Sequence, residues 1–267
     1  MGSGMPGTIA PRVLDDRRTR GGPAMFDPRS WWGDFYYDTN SQAKLFWYFE
    51  VSPNGDQAGS FDVPFAPGVT WKPSSRVSLS AGPTLELNRQ DAQYVTQVVD
   101  PLAVSTGGHY VFAHLDQTTV GAQLRLDCSL TSNLSLQLYA QPLVSSGRYT
   151  HYRELATPGT YDWIAYGLDD GSTLTYDGTN YFADPDGPGP MSAFEIGHPD
   201  FTYRTVRGDA VLRWEYIPGS AVYVVWTQDR TDTNGDGSFD FSPSMSALAR
   251  TPANNIFLVK VSHHFSL

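Results

Sequence analysis

The last stretch of the chain, residues 255–267, is the feature that most constrains the fold. Its odd positions from Phe257 to Leu267 are apolar or aromatic apart from His263, whereas its even positions after Leu258 are polar. Successive side chains of a β-strand point to opposite faces, so the pattern predicts a strand with one apolar and one mostly polar face. Phe265 places an aromatic side chain two residues from the carboxyl end.

The same alternation recurs along the chain. It is found in residues 61–71, 77–87, 122–130, 134–140 and 210–216. Many of these runs are longer than the five or six residues usual for a soluble strand, and runs of about ten tilted residues suit a bilayer crossing. Alternating strands and an aromatic final strand are typical of bacterial outer-membrane β-barrels, although soluble sandwiches also use alternating strands.

The connections between these runs alternate between short and long. Short turns are predicted at residues 39–42, 72–75, 131–133 and 218–220, and longer loops at 53–59, 91–108, 145–199 and 231–253. Transmembrane barrels show this asymmetry, with tight turns on one side of the membrane and long loops on the other. We therefore predict an all-β, antiparallel transmembrane β-barrel.

This barrel domain is predicted to occupy residues 31–267, with a long outer loop at about 145–199, and residues 1–30 are predicted to be irregular. Counting from Trp31 gives about nine strands, or ten if the residues around 8–13 add part of another. Single-chain bacterial barrels have even strand numbers, so we expect the chain to be the closing portion of a larger barrel. No signal peptide is visible after Met1, which predicts a fragment of a longer precursor, an artefactual start, or a chain that is not exported.

Composition excludes several classes of function. The net charge of −10 without a basic stripe argues against a nucleic-acid partner, and the single cysteine, Cys128, excludes an internal disulfide. No run approaches the roughly 20 apolar residues of a membrane-spanning helix. The chain has no H-E-x-x-H, G-x-S-x-G or P-loop motif, and we expect no enzymatic activity.

A soluble β-sandwich that binds carbohydrate is the alternative to the barrel. Three features favour the barrel. The apolar faces stay apolar over whole strands, and Trp71, Trp214 and Tyr216 fall near short turns, where an aromatic girdle would lie. The polar faces mix small residues with isolated charges of both signs, as expected of a hydrated lumen. These predicted lumen residues are Arg76, Glu86, Arg125, Asp127, Arg213, Glu215 and Lys260.

One acidic loop resembles part of a calcium-binding loop. Asp232, Asn234, Asp236 and Asp240 supply oxygens at positions 1, 3, 5 and 9, and Gly237 stands at position 6. Position 12 is Pro243 in place of the usual glutamate, so an EF-hand is excluded. The motif predicts either Ca²⁺ binding or a hairpin loop in which the glycines serve turn geometry.

Other polar residues give weaker signals. His263 and His264 are adjacent on a strand and point to opposite faces, so they cannot share a metal, and the other four histidines are scattered. The long loop at about 145–199 contains Asp169, Asp170, Asp184 and Asp186, which we interpret as solvated loop carboxylates. Its many Tyr and Trp side chains suit either sugar binding or packing of the loop onto the barrel mouth.

Several stretches resemble the carboxyl-terminal barrel domain of a bacterial family of unknown function. The matching stretches are residues 19–23, 71–79, 91–95, 115–119, 136–149, 208–216 and 257–260. In longer members of that family, a carbohydrate-binding-like β-sandwich precedes the barrel. The resemblance implies the fold but no activity, since the family has none firmly assigned.

Together these patterns predict a bacterial outer-membrane domain with a passive role as pore, anchor or surface-binding platform. Its expected partners are outer-membrane lipid, the barrel-assembly machinery and, for a platform, a glycan. If the machinery reads an aromatic carboxyl end, Phe265 is the expected assembly signal.

Overall fold

The structure, a computed structural model, describes residues 3–169 and 171–265. The described part of the chain forms seventeen strands and one helix. In chain order these are β1 (Ser3–Ala10), β2 (Val13–Asp15), β3 (Met25–Asp27), β4 (Ser30–Asp38), β5 (Leu45–Val51), β6 (Asn54–Asp56), β7 (Phe61–Ser74), β8 (Val77–Val98), β9 (His109–Ser129), β10 (Leu134–Leu155), β11 (Trp163–Ala165), β12 (Thr173–Tyr176), β13 (Tyr181–Asp184), β14 (Phe194–Gly197), β15 (Phe201–Ile217), β16 (Ser220–Asn234), α1 (Phe241–Arg250) and β17 (Asn254–Ser262).

Ten strands follow one another in a single antiparallel sheet. Their order is β1-β4-β5-β7-β8-β9-β10-β15-β16-β17, while β6 pairs with β4 and β7, and β11 pairs with β10. The predicted all-β chain with a large antiparallel sheet is confirmed. The stretch predicted to be irregular contributes β1, which pairs with β4, and the short β2–β3 hairpin. This Gly- and Pro-rich stretch lacks the alternation of apolar and polar residues, so the sequence pattern does not indicate these strands in full.

The central strands are longer than the sequence suggests. β8, β9 and β10 contain 22, 21 and 22 residues, and β8 and β10 continue into the segments 91–108 and 145–199 that the sequence predicts to be loops. The β8–β9 connection shortens to residues 99–108, and the connection after β10 starts at residue 156 and contains β11 to β14. Register shifts near Gln90–Thr96 and Thr150–Arg153 interrupt the alternation there, which is why the sequence pattern ends before the strands do.

The two faces of the sheet differ in chemistry. One row across eight consecutive strands is wholly apolar, and the neighbouring row, on the other face, is mostly polar. The apolar row is Leu45, Trp71, Leu79, Leu126, Leu138, Ala210, Trp226 and Phe257. The polar row includes Thr70, Ser80, Arg125, Tyr139, Asp209 and Thr227. We call these two sides of the sheet the apolar face and the polar face.

The apolar side chains form a belt whose borders run obliquely across the strands. On β16, Trp226 is the belt residue nearest the long loops, because the next residue on that face is the polar Gln228. Trp71 of β7 lies in the same row as Trp226. On β7, however, the belt extends from this row to residue 61, ten residues further toward the long loops. Across the five strand pairs from β7 to β16 this border therefore shifts by about two residues a strand. Strands that are tilted by 35–45° relative to a barrel axis would cross a horizontal belt with such a stagger.

The packed core lies at the loop end of the sheet. One cluster joins Val111 and Ala113 of β9 to Tyr152, Tyr166, Ala183 and Ile196. A second cluster packs Met25 against Ala92, Tyr110, Phe112 and Leu155. The ends of β8, β9 and β10 thus form a base on which residues 156–169 and 171–200 are packed. We call this whole region the cap.

Helix α1 interrupts the last long connection. Helical periodicity is hardly visible in this part of the sequence, because α1 has only ten residues and buries only Ser244 and Leu248. Asp240 stands at the N-cap, so Pro243 occupies the first turn, where the missing amide hydrogen is tolerated. Within the described residues, no helix combines the length and the apolar character needed to span a membrane.

Candidate functional site

The most distinctive surface of the molecule is the apolar face. Trp71, Trp214 and Phe257 are all exposed, as are most of the leucines of the belt. A contiguous apolar surface across eight strands is far larger than the patches that soluble monomers leave in water. Such a surface indicates contact with lipid or with another apolar surface.

A shallow groove crosses the apolar face. It has a volume of about 730 Å³ and runs between Trp71 and Trp226, over the leucines of β8, β9 and β10. The polar face has its own hollow of about 500 Å³ beside Arg125, Asp127 and Asp209. Hollows on both faces are consistent with the strong twist of an antiparallel sheet, which makes it saddle-shaped.

Charged side chains on the polar face interact mostly with their neighbours. Arg213 forms an ion pair with Glu215 at 2.8 Å and donates to the hydroxyl of Tyr223 at 3.3 Å. Lys260 lies 5.8 Å from the centre of the same tyrosine ring, and Arg125 lies 5.7 Å from that of Tyr139. The charged groups of the polar face are thus partly satisfied by contacts with one another and with neighbouring tyrosines.

The other predicted lumen residues are placed as follows. Asp127 and Glu86 lie on the polar face, on β9 and β8. Arg76 lies in the turn between β7 and β8 and is exposed, so it belongs to the edge of the sheet and not to the polar face. Glu215 lies at the turn end of β15, where its side chain accepts from the amide of Gly219 at 3.1 Å.

The residues of the calcium-like loop have other partners. Asp232 accepts from the guanidinium of Arg204 at 2.7 Å. Asp236 accepts from the buried hydroxyl of Thr202 at 2.6 Å, and this hydrogen bond lowers the pKa of Asp236. Asn234 donates to the second oxygen of Asp236 at 3.1 Å. Asp240 stands at the N-cap position of α1, without a side-chain hydrogen bond to the helix.

In residues 3–169 and 171–265, no group of three or more His, Cys, Asp or Glu side chains is arranged to hold a metal ion. Calcium binding stays a prediction from the sequence. Two of the carboxylates in the long segment at about 145–199 serve turn geometry, since Asp184 accepts from the amide of Gly187 and Asp186 from that of Met191. Asp169 likewise accepts from a backbone amide, and Asp170 lies outside the described residues.

A buried charge network in the cap was not predicted. His109 is 2% exposed; its Nδ1 contacts Glu154, and its Nε2 lies 3.3 Å from Asp100. Tyr166 donates to Glu154 at 3.0 Å, and Phe194 stacks on the imidazole at 4.9 Å. Burial by itself would lower the pKa of His109, but the contacts with the two carboxylates outweigh it and raise the pKa.

A second network ties the connection after β10 to β8. Arg153 donates to Asp91 at 2.7 Å, and Tyr161 donates to the same carboxylate oxygen at 2.9 Å. The guanidinium of Arg153 also lies 4.5 Å from the ring of Trp163. Both networks join distant segments of the cap, and they can hold it rigid.

The aromatic residues of the long segment at about 145–199 largely serve packing. Tyr152 and Tyr166 are buried in the first core cluster. Tyr181 packs against Tyr152 and Tyr176 at 4.7 Å and stacks on His198 at 5.8 Å. Tyr176 stays exposed. Of the two readings that the sequence allowed, packing of the loop onto the strands accounts for most of these rings.

The final strand is exposed along its whole length. Every residue of β17 is exposed, and Phe265 beyond it is 77% exposed, with its ring edge-on to His263. Leu267 lies outside the described residues. Among the described strands, β17 pairs only with β16, so one row of its backbone groups has no strand partner.

The chain was compared with known families, proteins and structures. A family model described as Domain of unknown function (DUF5916) matches residues 15–266. The chain belongs to this family. Comparison with curated proteins and with solved structures gave no significant match.

Proposed function

We propose that this DUF5916 chain is a membrane-spanning β-barrel domain of a bacterial outer membrane, and that it serves as an anchor and platform. The oblique apolar belt is the observation that carries the proposal. It supplies an exposed apolar surface of the kind that lipid covers, with a stagger that suits tilted strands.

Closure of the barrel is part of the proposal. The sheet path contains ten strands, an even number, so β1 and β17 run antiparallel to each other at its two edges. Unpaired backbone groups are costly in a bilayer, where no water can satisfy them. In place of the closing portion of a larger barrel that an odd strand count suggested, we propose that β17 pairs with β1 and so removes both edges.

An anchor or platform fits the geometry better than an open pore. A barrel of eight strands is just filled by its own side chains, and ten strands leave a narrow interior that polar-face groups such as Arg213 and Tyr223 would occupy. Beyond the belt, the long strands carry the packed cap, which is a rigid surface outside the membrane. Outer-membrane lipid and the barrel-assembly machinery are its proposed partners. A glycan is the proposed ligand class, because Tyr176 keeps an exposed ring on the cap.

The soluble sandwich has less support. A sandwich buries its apolar face beneath a second sheet, whereas the belt residues stay exposed in the described structure. The two smaller sheets, β12–β13–β14 and β2–β3, leave this face uncovered.

Membrane insertion can be tested directly. The purified chain should need detergent to stay monodisperse, and after refolding it should float with phospholipid vesicles in a density gradient. It should also migrate differently in electrophoresis before and after heating, because barrels resist unfolding without heat. A chain that refolds as a monodisperse species in plain buffer would overturn the proposal.

A further inference from the structure

Helix α1 is fixed at both ends to the apolar face of the sheet. Before the helix, the carbonyl of Ser238 accepts from Ser146 at 2.9 Å and from Thr202 at 3.2 Å. Ser146 of β10 shares its face with Leu138, and Thr202 of β15 is its partner in register. Since the register is continuous from Leu138, alternation places both hydroxyls on the apolar face.

The other end of the helix is attached to β16. Arg230 donates to the carbonyls of Ala249 and Thr251, at 2.5 Å and 3.3 Å. Arg230 lies four residues beyond Trp226 on the same face, a rise of about 13 Å along the strand. The helix therefore lies on the loop side of the belt border.

The helix also contacts the sheet between its two ends. It packs against β10, β15 and β16. Val144, the last apolar residue on this face of β10, is fully buried, whereas Leu138 in the middle of the belt is 38% exposed. The belt thus ends where α1 begins to cover the strands.

The start of this helix leaves apolar rings uncovered. Phe239 and Phe241 are 37% and 41% exposed, although the helix itself buries Ser244 and Leu248. Two exposed phenylalanines at the border of a lipid-facing belt would be stabilised by insertion at the boundary of headgroups and acyl chains. The turn-side border has its own aromatic residue in Trp214.

We infer that α1 is an interfacial helix that rests on the membrane surface and inserts Phe239 and Phe241 among the lipid headgroups. The inference rests on the proposed function and deepens it, since it names the lipid interface as the partner of one further element. The observation behind it is the attachment of both helix ends to the apolar face on the loop side of the belt, at Ser146, two residues beyond Val144, and at Arg230, four residues beyond Trp226.

Site-directed spin labelling tests the inference. The background is Cys128→Ser, which removes the only native cysteine. Single cysteines are then placed by Phe241→Cys, by the control Ser242→Cys and by the belt reference Leu126→Cys, and the proteins are reconstituted in phospholipid vesicles. Ser242 is the adjacent, exposed residue of the same helix, so it controls for local mobility. Accessibility to oxygen, which concentrates in lipid, is compared with accessibility to a water-soluble nickel reagent.

The expected result is oxygen-dominated accessibility at positions 126 and 241 and nickel-dominated accessibility at 242. A label at 241 that prefers the nickel reagent, with 126 still in lipid, would overturn the inference and leave the membrane domain intact. Water-like accessibility at 126 would instead overturn the proposed function. A label at 241 that neither reagent reaches would indicate a protein partner and would also refute the inference.

Each labelled protein is first checked for a heat-dependent shift in electrophoresis. Should Phe241→Cys fail this check, Phe239→Cys provides a second label position at the same helix start. The label at position 239 is also expected to show oxygen-dominated accessibility, so water-like accessibility there would refute the inference.

Discussion

At the scale of single residues, His109 is the side chain whose environment makes the clearest prediction. Its folded pKa is raised, so the stabilisation from its contacts with Glu154 and Asp100 is fully present below the unfolded value of about 6.5. That stabilisation is lost as pH rises through the folded pKa of His109. The pKa of Asp100 is lowered, mainly by the amide of Leu102, so its contribution is lost as pH falls through its own folded pKa.

The cap should therefore be most stable at weakly acidic pH, between these two titrations. His109→Gln should cost roughly 3–5 kcal/mol locally, because it leaves Glu154 buried without its charged partner. Amide hydrogen exchange of residues 109–115 measures both effects. His151→Asn is the control, since His151 is exposed and its backbone φ of +55° suits asparagine. Equal exchange in both variants at every pH would contradict this role for His109.

Phe265 makes a prediction about assembly. If the assembly machinery reads the aromatic end of the last strand, Phe265→Ala should reduce the fraction of protein that reaches the heat-shifting folded form in the outer membrane. Phe257→Ala is a matched control, because Phe257 is 74% exposed, close to the 77% of Phe265, but lies within β17. The prediction would be wrong if Phe265→Ala assembled as completely as the unchanged protein.

At the scale of elements, the strands divide into a part that the sequence predicts and a part that it does not. Residues 77–87 alternate strictly, so both the strand and its two faces could be predicted. The same strand continues to Val98 through register shifts that break the alternation. The extension stays in the sheet because it pairs with β9. Pairing with another strand leaves no pattern in the extension's own sequence from which it could be predicted.

Helix α1 likewise could not be predicted from its local sequence. Its ten residues are fewer than isolated helices need for stability in water, so its helicity depends on attachment to the sheet through Arg230 and Ser238. The sequence offered only weak signals for it, Asp240 before the helix and Arg250 in its last turn. Asp240 was instead counted among the calcium ligands.

Closure between β1 and β17 can be tested by disulfide cross-linking in the Cys128→Ser background. Thr8 of β1 faces the polar side, as Ile256, Leu258 and Lys260 of β17 do. Thr8→Cys combined with a cysteine at one of these three positions should cross-link in membranes, because paired strands bring Cα atoms within disulfide range. Thr8→Cys with Thr227→Cys is the control, since β16 lies one strand further away. Failure of all three pairs in folded protein would mean that β17 has another partner.

At the scale of the whole molecule, the two faces of the sheet were predictable and the cap was not. Alternation follows from the geometry of each strand, and it places Arg125 and Leu126 on opposite faces wherever the strand lies. The cap depends on contacts between segments far apart in sequence. His109 meets Glu154 across 45 residues, and Arg153 meets Asp91 across 62, so composition and spacing could not indicate either pair.

The proposed contact of the apolar face with lipid can be tested by comparing substitutions at two neighbouring residues. Leu138 and Gln137 are adjacent on β10 and point to opposite faces, Leu138 in the middle of the belt and Gln137 on the polar face. Leu138→Arg should reduce the free energy of unfolding in phospholipid vesicles by roughly 2–4 kcal/mol, because it places a charge near the bilayer midplane. Gln137→Arg should change it by less than about 0.5 kcal/mol, since Gln137 is exposed and its cross-strand partner is the acidic Asp127.

Denaturant titration in vesicles measures both variants under the same conditions. The difference between them reports the environment of the two faces, because the introduced charge and the strand are the same in both. If Leu138→Arg were as mild as Gln137→Arg, the belt could not face hydrocarbon. The apolar groove would then have to be covered by protein, and both the lipid-facing belt and the interfacial position of α1 would be wrong together.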